Sequence, residues 1–374
     1  MNVPKLRFKE FNDEWCYQSL SKYVNRITTK NKNNESNLVL TISAQYGLVD
    51  QTFFFNRSVS SSNLTGYYLL NNGDFAYNKS YSNGYPWGAI KRLNKYNQGV
   101  VSSLYICFKT NNLIDSNFLE QYFETNKWYQ QISEVSVEGA RNHGLLNIAV
   151  NDFFNTKHYI PSIKEQEKIS KFLLLLDKKI ELQTKKIEDL KLFKKGLSNN
   201  IFNNLKDFEE YKLGDLCNIT TGKLDANAMV ENGKYRFYTC AKEYSFIDEY
   251  SFDTEALLIS GNGAYVGYIH YYNGKFNAYQ RTYVLDQFSQ NIQFIKCYLD
   301  ENLSRRIKSE KKEGNTPYIV LSTLSDMIIK VPSKENQKNI SNIINYHQKK
   351  ILLEENKLQK LQELKKGLMQ NMFV

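Results

Sequence analysis

The chain has 374 residues, of which 41% are hydrophobic, enough apolar sequence for two or more packed domains and too much for wholesale disorder. The formal net charge is +10, and the five cysteines are widely spaced with no Cys-x-x-Cys pair, a pattern that fits a reducing cytoplasm and argues against a disulfide scaffold or a structural zinc site. No stretch approaches about 18 uncharged apolar residues, so neither a membrane span nor a secretory signal is supported.

Residues 1–160 have the composition of a mixed α/β domain. Short runs rich in Tyr, Phe, Val and Ile, punctuated by Gly and Asn, predict strands, for example over residues 100–108. A more helical pattern covers residues 117–132, and the polar stretch 31–37 predicts a loop. We therefore expect a first globular module that ends near residue 160.

Two loops of this first segment are dense in hydrogen-bonding side chains. The loop over 73–88 contains Asn78, Lys79 and Tyr81, and the loop over 139–144 contains Arg141 and His143. Arg and Asn can pair with base edges, whereas Lys and Tyr reach phosphates, so these five residues are candidates for DNA binding. The alternative, that aromatic residues of such loops are partly buried core, is favoured for Tyr85 and Trp87, and for Tyr268 later in the chain.

Residues 161–205 predict one long helix. Pro161 and Ser162 suit a helix start, and no other proline interrupts the segment. An apolar seam recurs at intervals of three and four residues, which is typical of helices that pack lengthwise against one another. Its members, which we predict to mediate helix packing and subunit docking, are Leu173, Leu176, Ile180, Ile187, Leu190 and Leu197. Leu182 and Phe193 fall beside the seam and widen the apolar face.

Residues 206–331 predict a second mixed α/β module. Strands are expected over 256–259 and 282–285, and a helical stretch over 292–312. The glycine-rich stretch 261–267 follows an apolar strand, as in a cofactor-binding loop, but Val266 breaks the glycine spacing and a strand-like run follows it. A phosphate loop needs a helix there to supply oriented amide donors. We therefore predict a tight glycine turn in this position.

Candidate DNA-binding residues in the second module fall into two groups. Polar residues in and after the glycine-rich turn form the first group, which consists of Asn262, Tyr265, Gln280 and Arg281. The second group is a basic cluster at the end of the predicted helix, with Arg305, Arg306, Lys308, Lys311 and Lys312. The basic cluster has an equally simple explanation as a solvated helix C-terminus, where cations are favoured. Because this segment carries a net charge of −2, DNA contact would depend on such local clusters.

Residues 332–374 repeat the long helix. Aligned without gaps at an offset of 171, residues 161–202 and 332–373 are identical at 17 of 42 positions, including Gln166/Gln337 and both Lys-Lys-Gly-Leu runs. The same register predicts a second packing seam, made of Ile344, Ile351, Leu358, Leu361 and Leu368, with Leu353 and Leu364 beside it. The chain therefore divides into 1–160, 161–205, 206–331 and 332–374, and each helical segment carries a net charge of +4.

Signatures of catalysis are missing from the sequence. An amino-methylating enzyme carries an Asp/Asn-Pro-Pro-aromatic loop, whereas the five prolines here are never adjacent and none is followed by Asp. No phosphate-binding loop with its lysine occurs, and the four histidines are too far apart in sequence for a local metal-ligand pair. We therefore expect a chain without its own catalytic site, cofactor or metal.

The order of module, helix, module and helix resembles the specificity subunit of Type I restriction-modification systems. The residues that carry the resemblance are Pro161-Ser162 and Pro332-Ser333, the two Lys-Lys-Gly-Leu runs, the opening Pro4–Phe8 with Trp15, and the stretch 261–281. The fold class that the resemblance implies is α+β. It comprises two mixed α/β target recognition domains, 1–160 and 206–331, separated by two long antiparallel coiled-coil helices in a pseudo-twofold repeat.

The resemblance also implies a function and a set of partners. Each module would read one half of a gapped, asymmetric site in double-stranded DNA, and the helices would dock two DNA adenine-N6 methyltransferase subunits, which two restriction (motor-nuclease) subunits would join. S-adenosylmethionine, ATP and Mg would then be held by the partner subunits, in the cytoplasm of a bacterium or archaeon. Two alternatives stay open: a scaffold for protein partners whose modules do not read DNA, and a fused methyltransferase or nuclease fragment.

Overall fold

The computed structural model describes residues 2–55, 63–82, 84–136, 146–310 and 318–374, and all structural statements refer to these ranges. The chain divides into two compact units. Unit 1 contains Met1–Gln183 and Lys357–Val374, and unit 2 contains Thr184–Asn356. Each unit therefore combines one globular module with one half of each long helix.

The module of unit 1 is a small α+β domain. Its strands are β1 (Cys16–Ser19), β2 (Val24–Arg26), β3 (Leu40–Ser43), β4 (Gly47–Asp50), β5 (Tyr68–Asn71), β6 (Phe75–Asn78), β7 (Ala89–Arg92), β8 (Gln98–Val101), β9 (Ile106–Thr110) and β10 (Lys157–Ile160), and its helices are α1 (Gln51–Phe55), α2 (Ser116–Phe123), α3 (Tyr129–Val135) and α4 (Val150–Asn155). Four strands form a sheet in the order β2-β9-β6-β7, while β3-β4, β5-β8 and β1-β10 are antiparallel pairs. The strand predicted over 100–108 is thus two strands separated by a turn.

The long helix α5 (Ile163–Asn203) follows this module, and the second module follows the helix. The strands of the second module are β11 (Phe208–Lys212), β12 (Asn218–Thr221), β13 (Tyr235–Tyr238), β14 (Ser245–Ile247), β15 (Phe252–Ser260), β16 (Ile269–Ala278), β17 (Thr282–Asp286) and β18 (Ile328–Pro332), and its helices are α6 (Leu213–Leu216), α7 (Ile292–Glu310) and α8 (Leu321–Ser325). Six strands form one sheet in the order β12-β17-β15-β16-β13-β14, and β11 pairs with β18. The second long helix, α9 (Lys334–Met372), ends the chain.

Both modules join their long helix through the same two-stranded connection. The strand that immediately precedes each long helix pairs antiparallel with the strand that opens the module, so that Cys16 faces Ile160 and Phe208 faces Pro332. These short sheets bring the two ends of each module together at the start of its helix. The sequence repeat is therefore also a structural repeat.

A buried glutamine connects the start of each long helix to its module. The Gln166 side chain donates to the Pro161 carbonyl (2.9 Å) and accepts from the Asp115 amide (2.8 Å), and Asp115 caps α2. At the equivalent place in unit 2, Gln337 donates to the Pro332 carbonyl (2.9 Å) and accepts from the Asn291 amide (3.0 Å). Both glutamines are 1% exposed. Each amide thus satisfies two backbone groups that would otherwise be unpaired in the interior.

A buried phenylalanine completes each connection from the other long helix. Phe373, just beyond the end of α9, packs on Phe118 and Tyr122 in unit 1 with ring centroids 5.4 and 5.9 Å apart. In unit 2, Phe202 near the end of α5 packs on Phe294 and Tyr298 at 6.0 and 5.3 Å. Phe202 and Phe373 are themselves equivalent in the 171-residue repeat. Within each unit, the module helix is therefore held by a glutamine from one long helix and a phenylalanine from the other.

Within each unit the two long helices run antiparallel. In unit 2, Lys186 pairs with Glu354 (3.0 Å) and Lys194 donates to Gln348 (2.8 Å). The residue number on α9 therefore falls as the residue number on α5 rises. In unit 1, Lys365 pairs with Asp177. The predicted seam residues Leu173, Leu176, Ile187, Ile344 and Ile351 are buried, and Ile180, Leu190, Leu197, Leu358, Leu361 and Leu368 are half-buried. Polar residues at inward positions, such as Glu354, are matched by these cross-helix contacts.

The glutamine connection predicts a specific loss of stability in each unit. Replacing Gln166 or Gln337 by Leu leaves buried backbone groups without hydrogen-bond partners. The free energy of unfolding should fall by about 1–3 kcal/mol for each group left unpaired. Gln359, an exposed residue of α9, provides the control, because its Leu variant should change stability little. Chemical denaturation measures all three variants, and equal stability of the Gln166 and Gln359 variants would contradict the role assigned to the connection.

A buried histidine makes the stability of unit 1 depend on pH. His158 in β10 is 4% exposed and lies between the Tyr122 hydroxyl (2.8 Å) and the Thr156 hydroxyl (2.9 Å). Burial lowers the pKa of His158 from 6.5 to about 3. The folded unit therefore excludes a proton that the unfolded chain binds below pH 6.5, and stability falls as the pH drops through that range.

The His158 effect can be measured by denaturation at two pH values. Between pH 6.5 and 5 it should remove up to about 2 kcal/mol from the free energy of unfolding, since one pKa unit corresponds to about 1.4 kcal/mol. The His158→Gln variant should be less stable at pH 7 but should lose less on acidification. An unchanged pH dependence in that variant would show that other groups control acid stability.

Candidate nucleic-acid interface

In the second module, the candidate residues gather where the central strands of the sheet end. Asn262 directly follows β15 and the glycine Gly261, and Gln280 and Arg281 form the turn between β16 and β17. One small pocket of about 140 Å³ is lined by Gly261, Asn262, Gln280 and Arg281, together with Thr221, Tyr283, Tyr318 and Ile319. Three of the four candidates predicted around the glycine turn are thus brought together, although Gln280 and Asn262 are 18 residues apart in sequence.

Backbone contacts fix the shape of this pocket. The Gly261 amide donates to the Arg281 carbonyl (2.9 Å), and the Gly261 carbonyl accepts from the Ile319 amide (2.8 Å). A Cβ at Gly261 would lie 2.4 Å from the Arg281 carbonyl oxygen, so that only glycine allows this approach. The stretch from Gly261 forms a turn that leads into β16, as predicted, with Gly263 and Gly267 at positive φ.

The side chains of the pocket differ in how much they are already engaged. The Gln280 amide nitrogen donates to Asp225 (2.8 Å), which anchors it. Arg281 is exposed, and within the described ranges its guanidinium has neither an ion pair nor a hydrogen bond. Tyr265 is 43% exposed, with Lys242 Nζ 5.3 Å from its ring centroid. Arg281 can therefore turn toward a ligand without breaking a hydrogen bond or an ion pair of the described residues.

Sequence reasoning missed Tyr318 of this pocket and a cation–π contact elsewhere in the same module. Tyr318 is 61% exposed and is brought to Asn262 by a β-bridge that no local pattern indicates. Arg236 is stacked between Tyr244 (4.3 Å) and Tyr272 (4.5 Å), which come from separate parts of the module. The high tyrosine content of the segment was the only signal available, because these contacts are created by the tertiary fold.

The basic cluster of α7 does not join the Arg281 pocket. Arg305 pairs with Glu301 (3.1 Å) and contacts Asn199 of α5 (2.5 Å), and Arg306 pairs with Glu310 (2.7 Å). Arg305 instead lines a separate cleft beside the long helices. Lys311 and Lys312 lie outside the residues that the structure describes.

In the first module, the candidate residues Asn78 and Lys79 also hold the backbone in place. The Asn78 side chain accepts from the Ser80 amide (3.1 Å), and Lys79 Nζ donates to the Ile148 carbonyl (3.2 Å), with its pKa lowered by burial. Tyr81 is 59% exposed. Arg141 and His143 lie outside the described residues. Tyr81 is therefore the member of this group that is placed to contact a ligand.

The long helices carry a second surface that repeats between the two copies. Large apolar side chains at equivalent positions are exposed in both, and they are Leu175/Tyr346, Leu182/Leu353 and Phe193/Leu364. Their exposed fractions range from 53% (Leu364) to 71% (Leu175). The spacing of 7 residues places Leu175 and Leu182 on one side of α5 in unit 1, and Tyr346 and Leu353 on one side of α9 in unit 2. Such repeated exposure of apolar side chains is typical of a protein–protein contact.

Within the described ranges, no helix is both long and apolar enough to cross a membrane. Over the same ranges, no cluster of three or more His, Cys, Asp or Glu side chains has the arrangement of a metal site.

Comparison with known proteins finds a family match over the second module and most of α9. Residues 205–363 match the family described as "Type I restriction modification DNA specificity domain". Over 135 residues the chain is 39% identical to the specificity subunit of the type I restriction enzyme EcoDI of Escherichia coli, an alignment that covers 36% of this chain and 30% of that relative. The chain thus spans less than a third of that relative's length.

Two solved structures share the fold over the length of the chain. The S subunit of a type I restriction-modification system from M. genitalium superposes with a TM-score of 0.63 at 18% identity, covering 100% of this chain and 99% of that one. A chain from a structural study of assembly and conformational transition in the type I system superposes with a TM-score of 0.59 at 15% identity, covering 97% and 98%. At these identities the likeness establishes the fold.

Proposed function

Because residues 205–363 match the type I restriction-modification DNA specificity domain, we propose that the chain is a specificity subunit and that it selects the DNA sequence on which a type I complex acts. The observation that carries this proposal is a duplicated support with different modules. The same strand pair, buried glutamine and buried phenylalanine hold both modules, whereas the modules have different sheets and different loops. Two different modules held by the same connection fit a DNA site with two different halves.

Each module is proposed to read one half of a gapped, asymmetric site in double-stranded DNA. In the second module, the free guanidinium of Arg281 and the anchored amide of Gln280 are the groups with the chemistry to recognise base edges. In the first module, Tyr81 is exposed where the loop leaves β6. The bases between the two halves would remain unread under this proposal.

The helices are proposed to dock two DNA adenine-N6 methyltransferase subunits, which restriction subunits would join. The repeated apolar positions such as Leu182 and Leu353 support equivalent contacts on both copies, because exposed leucines at matched sites can be covered by the same partner surface. Under this proposal the chain itself catalyses nothing. S-adenosylmethionine, ATP and Mg²⁺ would be bound by the partner subunits.

Reconstitution tests the proposed function directly. The chain is co-expressed with the methyltransferase subunit of its own system, and methylated adenines are mapped across the genome. We expect a bipartite motif with unlike halves and a fixed gap. Methylation at a continuous motif, or methylation that is the same without this chain, would contradict the proposal. Loss of cognate-duplex binding with rising salt would distinguish DNA reading from a purely protein-binding scaffold.

Substitution of Gly261 tests whether the pocket positions Arg281. The Cβ of Gly261→Ala must displace the Arg281 carbonyl, which should destabilise unit 2 by about 1–3 kcal/mol and weaken DNA binding. Gly66→Ala is the control, because no described atom lies within 4 Å of its added Cβ. Unfolding and duplex-binding measurements on both variants decide the point. A Gly261→Ala variant with unchanged affinity would show that the turn does not position a DNA contact.

Arg281→Ala should affect one half-site only. If the guanidinium reads a base, its removal should cost about 1–3 kcal/mol on the cognate duplex and relax specificity at one position of one half. Arg281→Lys, which keeps the charge but loses the bidentate geometry, serves as the matched variant. Binding to duplexes with each half-site mutated in turn measures the effect. An equal loss on random DNA would identify a phosphate contact instead.

A further inference from the structure

The two units contain equivalent clefts between the module helix and the long helices. The cleft of unit 1 has a volume of about 670 Å³ and that of unit 2 about 650 Å³. Residues at the same places in the repeat line both, and the shared pairs include Asp177/Gln348, Ile180/Ile351, Lys365/Lys194 and Lys366/Lys195. The Lys-Lys dipeptides come from the two identical Lys-Lys-Gly-Leu runs. The sequence duplication has therefore preserved a concave surface in addition to the packing seam.

Each cleft has more positive charge than its own carboxylates neutralise. In unit 1, Lys91 pairs with Glu124, Arg92 with Glu120 (3.4 Å), and Lys365 with Asp177, so that the three carboxylates of the lining are matched. Lys95 and Lys366 also line the cleft; both are exposed, and neither forms an ion pair within the described residues.

The cleft of unit 2 also has more positive charge than its carboxylates neutralise, although different side chains supply it. Its carboxylates pair as Lys191 with Glu355 (2.6 Å), Arg305 with Glu301 (3.1 Å) and Lys296 with Asp300 (2.7 Å). Lys195 and Lys308, two exposed residues of the lining, have no ion pair over the same ranges. Lys195 and Lys366 occupy equivalent positions in the repeat, so each cleft presents an unpaired lysine at the same place.

A glycine beside each of these lysines adds an independent observation. Gly196 and Gly367 lie inside long helices, where glycine costs roughly 0.5–1 kcal/mol relative to alanine. No described atom lies within 4 Å of a Cβ built at either position, so the described part of the chain gives no steric reason for glycine there. A helix surface without a side chain, next to an unpaired lysine, permits close approach by another backbone.

We propose that the two clefts are equivalent docking sites for an acidic segment of the same partner subunit, one copy in each cleft. A carboxylate of that segment would pair with Lys366 in unit 1 and with Lys195 in unit 2, and its backbone would pass over the adjacent glycine. The charge of the lining favours a protein segment over DNA, because two exposed lysines in each cleft, without an ion pair among the described residues, suit a segment with one or two carboxylates better than a strand with a phosphate at every nucleotide. The inference rests on the proposed function, which supplies the methyltransferase subunit as the partner.

The experiment uses the full chain and the methyltransferase subunit of its own system, with the subunit count read by native mass spectrometry. The wild type should bind two methyltransferase subunits. Lys366→Glu and Lys195→Glu should each weaken one site by about tenfold or more and give mainly complexes with one subunit, and the double variant should bind neither. Lys32→Glu combined with Lys234→Glu is the control, because these lysines are exposed, lie one in each module, and are outside both clefts and the apolar face of the long helices.

Glycine substitutions separate docking from folding. Gly196→Ala with Gly367→Ala should raise the unfolding temperature of the free chain, as alanine favours a helix, yet should lower the affinity for the methyltransferase subunit. Unimpaired docking of this variant, or two bound subunits in the double lysine variant, would overturn the inference and leave the proposed function intact. Failure of the wild type to bind any methyltransferase subunit would instead contradict the proposed function. If the lysine variants lost affinity for random duplex DNA at an unchanged subunit count, the clefts would face DNA, and the inference would be wrong.

Discussion

The structure depends on one kind of contact, a buried glutamine amide that joins the first turn of a long helix to the capping residue of a module helix. An amide can donate and accept at once, so Gln166 and Gln337 each satisfy a carbonyl of one element and an amide of another. Leaving either group unpaired in the interior would cost more than the bond itself contributes. The contact therefore fixes direction as well as distance, and its presence in both units gives each module the same attachment to the start of its helix.

The duplicated support has allowed the remaining structure to diverge. Unit 1 adds an ion pair between Arg7 and the buried Glu165 (2.7 Å), whereas the equivalent of Glu165 in unit 2 is Asn336. The two modules also differ in sheet, with four strands in the largest sheet of the first and six in that of the second. The contacts that hold a module are thus separate from the surfaces that it exposes. In a protein proposed to recognise two unlike sequences, that separation lets the exposed loops vary while the support remains the same.

The sequence predicted the helices well because their signal is local and repeated. Periodic apolar residues and a proline–serine start predicted the helix from residue 161, and α5 runs from Ile163 to Asn203. The antiparallel pairing was implied by the family resemblance and is present within each unit. The glycine-rich turn was also correct, since a strand-like run after Gly267 cannot supply the helix that a phosphate loop needs.

The candidate site was predicted less completely because its neighbours are distant in sequence. Asn262, Gln280 and Arg281 were identified by residue type, and the structure brings them to one pocket, but Tyr318 joins them only through a tertiary β-bridge. Asn78 and Lys79 were chosen by the same chemistry, and each proves to hold a loop in place. Residue type alone does not tell whether a polar side chain satisfies its own backbone or a ligand, as that depends on which groups the fold places beside it.

Each module is proposed to read its half of the site independently, held by the same kind of connection to its long helix. The most direct measurement exchanges residues 206–331 for the second module of a relative with a different specificity and maps methylated adenines in cells that carry the matching methyltransferase subunit. We predict that one half of the motif changes while the other half and the gap length stay the same. Changes in both halves, or a motif that follows neither parent, would contradict the account.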